Sequence, residues 1–159
     1  MSTTIISADL DAIVSEIEIA APPDRVFHAL TDPRELMRWF NGDESCPVKY
    51  WKMDAREGGA YSYSTNPSPT VTINGVNEFT CYGEILEYDP PRLLAYTWIG
   101  NWHLDPQRKT LVRWELSPIA GGTLVKVTHS GLAAEQAARD DYRNGWPGVV
   151  EGLKKFVEE

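Results

Sequence analysis

The side chains that could move a proton lie in the last third of the chain. His129 ends the run Val125-Lys126-Val127-Thr128-His129, in which Val125, Val127 and His129 share one face at period two. A histidine on an apolar strand face has two uses. It can exchange a proton, with Asp140, Asp141 or Tyr142 of the next segment as partner. It can also be a hydrogen-bonded structural group where the last strand meets the last helix, and that is the role expected of His129. His28 falls on a short helix and His103 in a loop, and neither has a partner in view. No histidine, cysteine and carboxylate spacing suits a metal. No nucleophile elbow, phosphate loop or dinucleotide fingerprint is present. No metal, cofactor or catalytic residue is therefore expected. Cys46 and Cys81 read as free thiols of a reducing cytoplasm.

The other chemistry is aromatic. The 159 residues include six Trp, seven Tyr and four Phe. A buried ring removes about 150–250 Å² from water, so most of the tryptophans are expected in a core or around a cavity. Trp39, Phe40, Tyr61, Tyr63, Tyr96, Trp98, Trp114 and Trp146 are the candidate cavity wall, with His129 and Tyr142 beside them. Ordinary core packing is the competing reading for each ring. As a set they favour a pocket.

The elements that must place these groups follow from periodicity. Residues 13–19 alternate as a half-buried strand carrying Ile13, Ile17 and Ile19 on one face. Pro22-Pro23 stops it and suits the first turn of a helix with Val26, Phe27 and Leu30 inward. Asp32, Pro33 and Glu35 have the spacing of a capping box for a second helix, with Leu36, Met37, Trp39 and Phe40 as its apolar side. Strands are expected at 48–53, 60–64, 78–88, 93–99, 111–116 and 123–129, with Gly83 marking a bulge or bend. Tight turns between them imply an antiparallel meander. Residues 66–77 and 100–109 are polar excursions. A final helix carries the stripe Trp146, Val149, Val150, Leu153, Phe156 and Val157. Gly148 and Gly152 are expected to bring it close to the sheet, and Pro147 to kink or break it between Arg143 and Pro147. Glu158 and Glu159 read as a frayed tail, and residues 1–9 as a disordered N-terminus.

Composition bounds the partners. The length suits a single domain, residues 1–159. A net charge of −8 argues against nucleic acid. No apolar run reaches the roughly 20 residues of a membrane span, and the first nine residues lack the order of a signal peptide. A cytoplasmic protein is expected, with no membrane partner. The oligomeric state stays open, a homodimer included.

The phrases Ala21-Pro22-Pro23 with Val26-Phe27, Leu30-Thr31-Asp32-Pro33, Trp39-Phe40, Gly83-Glu84-Ile85-Leu86-Glu87 with Asp89-Pro90-Pro91-Arg92-Leu93, Tyr96-Thr97-Trp98, Gly121-Gly122-Thr123, Thr128-His129-Ser130-Gly131 and Gly145-Trp146 occur in an order and spacing that resembles the START-like (SRPBCC) superfamily. The resemblance runs from about Val14 to Val157. Its nearest branch is the one named for the activator of the heat-shock-90 chaperone ATPase. It implies an α+β helix-grip fold, a curved antiparallel sheet wrapped around a long C-terminal helix, with two short helices after the first strand. The superfamily holds hydrophobe binders, polyketide cyclases, toxin-resistance proteins and chaperone regulators, so the fold leaves the activity to the cavity. The separate N-terminal domain of the chaperone activator is not expected here, because these residues leave no room for one. Asn101-Trp102-His103 echoes a motif of that domain and is read as coincidence. The helix start after Gly131 lacks the acidic, proline-containing segment of the branch.

The function expected is binding of a small hydrophobic or aromatic molecule between sheet and C-terminal helix, without catalysis. The alternatives are a cyclase or dehydratase using His129 and Tyr142, and a chaperone-associated interaction protein with a stress role. Residues 133–144, 66–77 and 100–109 are expected to form a movable lid.

Overall fold

The computed structural model describes residues 3–6, 11–40, 48–105 and 109–159. Eight strands form one antiparallel sheet, in the order β1-β2-β8-β7-β6-β5-β4-β3. They are β1 (Thr3–Ile6), β2 (Ile13–Ile19), β3 (Val48–Met53), β4 (Ala60–Thr65), β5 (Thr80–Asp89), β6 (Leu93–Gly100), β7 (Thr110–Ile119) and β8 (Gly122–Ser130). Helices α1 (Pro23–Thr31) and α2 (Pro33–Trp39) follow β2, and the chain then resumes at β3 on the far edge of the sheet. The C-terminal helix α3 (Gln136–Glu158) packs against β2, β1 and both short helices. This is the helix-grip α+β fold. No described helix is long and apolar enough to cross a membrane.

Period two governs the sheet. Ile13, Ile17 and Ile19 of β2, Tyr96 and Trp98 of β6, Val112, Trp114 and Leu116 of β7, and Val125, Val127 and His129 of β8 are all buried. All six tryptophans are buried. At Gly83 a Cβ would stand 2.0 Å from the Thr97 carbonyl oxygen, so glycine lets β5 pass β6 there. The register shift itself falls between Ile85 and Glu87.

Several local expectations are corrected. Residues 1–9 are not wholly irregular, because Thr3–Ile6 pairs with β2 through Thr3↔Glu16 to Ile6↔Ile13. The capping box does not close. Asp32 accepts from the Arg34 backbone N–H at 2.9 Å, while Glu35 turns to Arg25 at 2.8 Å. Met37 is exposed. Helix α3 runs unbroken through Pro147. Tyr142 and Trp146 before the proline and Val150 after it are all buried, so packing on both sides holds a turn that local preference disfavours. A Cβ at Gly148 would meet no atom within 4 Å, and one at Gly152 would stand 3.3 Å from the Trp39 carbonyl oxygen, so neither glycine serves an approach to the sheet. Glu158 is tied down: its carboxylate accepts from the Ala20 backbone N–H at 2.8 Å and from Lys154 at 2.6 Å. Cys81 is a buried free thiol, whose ionisation burial pushes far up; Cys46 lies outside the described residues.

Candidate functional site

A cleft of about 650 Å³ opens along one side of α3. Asp141, Gly145, Gly148, Gly152 and Lys155 of that helix line it, with Glu159 just past its end. The spacing of the helical residues, four, three, four and three, keeps them on one helical face. Gly145 and Gly148 have open space where a side chain would stand, so the missing side chains widen the cleft. Facing them are Trp39 and Phe40 at the end of α2, Tyr63 of β4, Trp98 of β6, Val71, Ile73 and Phe79 between β4 and β5, and Trp102 after β6.

Of the ten residues singled out in the sequence, Trp39, Phe40, Tyr63, Trp98, Tyr142 and Trp146 line this cleft. Tyr61, Tyr96, Trp114 and His129 do not; they form the layer behind it. There the polar tips of the rings satisfy one another. Trp114 Nε1–H donates to the Tyr96 hydroxyl oxygen at 2.9 Å. The Tyr61 hydroxyl donates to the Thr97 carbonyl at 2.6 Å. Burial pushes the pKa of both tyrosines up and keeps them neutral.

His129 sits in a chain of hydrogen bonds with one consistent direction. Trp146 Nε1–H donates to His129 Nδ1 at 3.2 Å, because an indole can only donate. The proton of the neutral ring is then on Nε2, which lies 2.8 Å from Thr110 Oγ1. The Thr110 hydroxyl in turn donates to the Trp98 carbonyl at 2.7 Å. Burial, followed by the neighbouring His103, holds His129 well below the usual histidine range. Both ring nitrogens are engaged, and the ring is wholly buried.

The loop after β6 contributes what sequence reasoning missed. Trp102 and His103 are buried. Tyr142 accepts from Trp98 Nε1–H at 2.9 Å and lies 2.6 Å from His103 Nε2. His103 therefore has a partner, contrary to expectation, and burial lowers its ionisation. The Asn74 side-chain amide donates to the Trp102 carbonyl at 2.7 Å. The buried Glu135 carboxylate accepts from the backbone N–H groups of Leu104 and Asp105 at 2.7 and 2.9 Å. The segments around the mouth are thus braced against one another. Trp102 Nε1 lines up with no acceptor among the described residues. Gly100 beside it marks the tight fit, since a Cβ there would come within 2.9 Å of the Trp102 ring.

His28 also has partners, Asp32 at 3.1 Å and Glu35 at 3.4 Å. Among the described residues these three form the group whose ligand atoms converge as a metal site would, within 4.8 Å of one another. Their carboxylates already pair with Arg25 and Arg34 on the surface.

Comparison with known proteins agrees with this architecture. A protein from Rhodobacter sphaeroides superposes with a TM-score of 0.78 at 17% identity, over 99% of this chain and 98% of that one. A protein from Arthrobacter aurescens gives 0.80 at 16% identity, over 98% and 91%. CalU16 from Micromonospora echinospora gives 0.66 at 24% identity, over 99% and 83%. At these identities the likeness is one of fold. No curated relative matches the chain. The family model described as Activator of Hsp90 ATPase homolog 1-like protein matches residues 20–158. That match takes in every element from α1 to α3, well over half of the chain, and the chain belongs to the Activator of Hsp90 ATPase homolog 1-like family of START-like proteins.

Proposed function

We propose that this protein binds a small hydrophobic or aromatic molecule in the cleft beside α3 and does so without chemistry. The observation that carries the reading is the cleft itself, a volume of about 650 Å³ walled by Trp39, Phe40, Tyr63, Phe79, Trp98 and Trp102. Ligand pockets run to roughly 300–1,000 Å³ with mostly apolar walls and few polar groups. The layer behind supports the reading, because its tyrosines, indoles and His129 spend their polar atoms on one another and hold the wall rigid. A cyclase or dehydratase built on His129 has less support, since both of its nitrogens are bonded and it stands outside the lining.

Titration with 2-naphthylmethanol, followed by tryptophan fluorescence, tests the proposal. A ligand of that size at about 0.4 kcal/mol per heavy atom binds with a Kd of about 0.3 mM. Gly148→Leu places a side chain in the open face of α3 and is expected to abolish the signal in a folded protein. Absence of binding to the parent, or equal binding by Gly148→Leu, overturns the reading.

A further inference from the structure

Asp141 begins the glycine lane of α3 and lines the cleft. It is partly buried. No hydrogen bond or ion pair to it exists among the described residues, whereas the half-buried Glu35 carboxylate has Arg25 and the buried Glu135 carboxylate has two backbone N–H groups. The cations of the lining are far along the helix. Lys155 is fourteen residues on, about 21 Å by helical rise. Arg38 stacks at 5.2 Å on the ring of Phe156, at that same distant end. A carboxylate removed from water without a partner costs free energy, and aromatic faces attract cations. The rings beside Asp141 are those of Tyr142 and, packed 6.1 Å from it, Trp102.

We propose that Asp141 is the anchor for a protonated amine, so that the cleft selects an aromatic or hydrophobic amine over a neutral or anionic molecule of the same shape. This inference rests on the cleft being a ligand site. The ring system lies along Gly145, Gly148 and Gly152 against the aromatic wall, and the ammonium group meets the Asp141 carboxylate at the N-terminal end of the lane. Burial alone pushes the Asp141 carboxyl up to about 6, with no neighbouring cation to oppose it. That is the state expected of a counter-ion whose partner arrives with the ligand.

Three probes share one ring and differ in charge: 2-naphthylmethylamine, 2-naphthylmethanol and 2-naphthoic acid. At pH 7.5 the amine is expected to bind about tenfold tighter than the alcohol, and the acid more weakly than either. Asp141→Asn is expected to fold, because it breaks no bond, and to bind amine and alcohol equally. Asp141→Glu keeps the charge and is expected to retain a preference. If all three probes bind the parent alike, or the acid binds tightest, the amine assignment is overturned and the cleft remains a ligand site. A preference that persists in Asp141→Asn overturns it too. If none of the three binds, the cleft reading falls and the amine assignment with it.

Discussion

Thr110 is the most exposed test of the structural role given to His129. Its hydroxyl links four elements: it donates to Trp98 of β6 and accepts from His129 of β8, which is held by Trp146 of α3, while Thr110 itself begins β7. Thr110→Val keeps the branched shape and deletes the oxygen. The Trp98 carbonyl loses one bond, worth about 1 kcal/mol, and the buried Nε2–H of His129 is left without an acceptor, at about 1–3 kcal/mol. The expected loss is about 3 kcal/mol. In a chain of this length that lowers Tm by about 6–12 °C, or the urea midpoint by about 1.5 M at an m-value of about 2 kcal/mol/M. Thr110→Ser keeps the hydroxyl and forfeits a methyl group, for about 1 kcal/mol. Urea unfolding of the three proteins, followed by far-ultraviolet circular dichroism and by tryptophan fluorescence, measures both differences. A valine variant within about 0.5 kcal/mol of the parent, or a serine variant worse than valine, refutes the Thr110–His129 bond and with it the structural role of His129.

Acid should destabilise the fold through its buried histidines. His103 and His129 are held below 6.5, so as pH falls below 6.5 the unfolded chain takes up protons that the folded one refuses. Each such histidine costs about 1.4 kcal/mol per pH unit in that range. Asp141, raised to about 6 from 3.8, acts with the opposite sign: its penalty is relieved as pH falls through 6. Urea midpoints from pH 7.5 to 5 should therefore fall more steeply in Asp141→Asn than in the parent, and an equal slope contradicts this assignment. Two glycine substitutions should differ in sign. Gly83→Ala drives a Cβ against the Thr97 carbonyl and is expected to cost about 3 kcal/mol or more, whereas Gly148→Ala meets nothing and gains about 0.5–1 kcal/mol from helix propensity, both readable from thermal melts.

The strand faces were legible because alternation is a local property. Trp98, Trp114, Val127 and His129 point inward as the period-two pattern requires. Periodicity assigns a face and not a depth. Tyr61 and Tyr63 share one face of β4, yet Tyr63 meets the cleft and Tyr61 stands behind it. The difference depends on what α3 and the loops cover, which no single strand encodes. Trp102 was illegible for the same reason. It lies among polar neighbours in a loop, and its burial is decided by Asn74, Phe79 and Tyr142 from elsewhere in the chain. Pro147 does not break the helix. Its local preference is real, but Trp146 is anchored on His129 across the core, and the helix continues.

The strand order has a consequence for how the chain comes into being. β2 pairs on its inner side with β8, Ile13 against His129 and Ile19 against Thr123. During synthesis β2 must therefore wait, one edge unpaired, until more than a hundred further residues have left the ribosome. Contacts so distant in sequence slow folding. The concave face waits longer still, because α3 is the last element to emerge and carries Trp146, Val150 and Leu153 that cover it. Until then Trp98, Trp114 and their neighbours form an uncovered apolar basin, the kind of surface through which nascent chains aggregate or are held by chaperones.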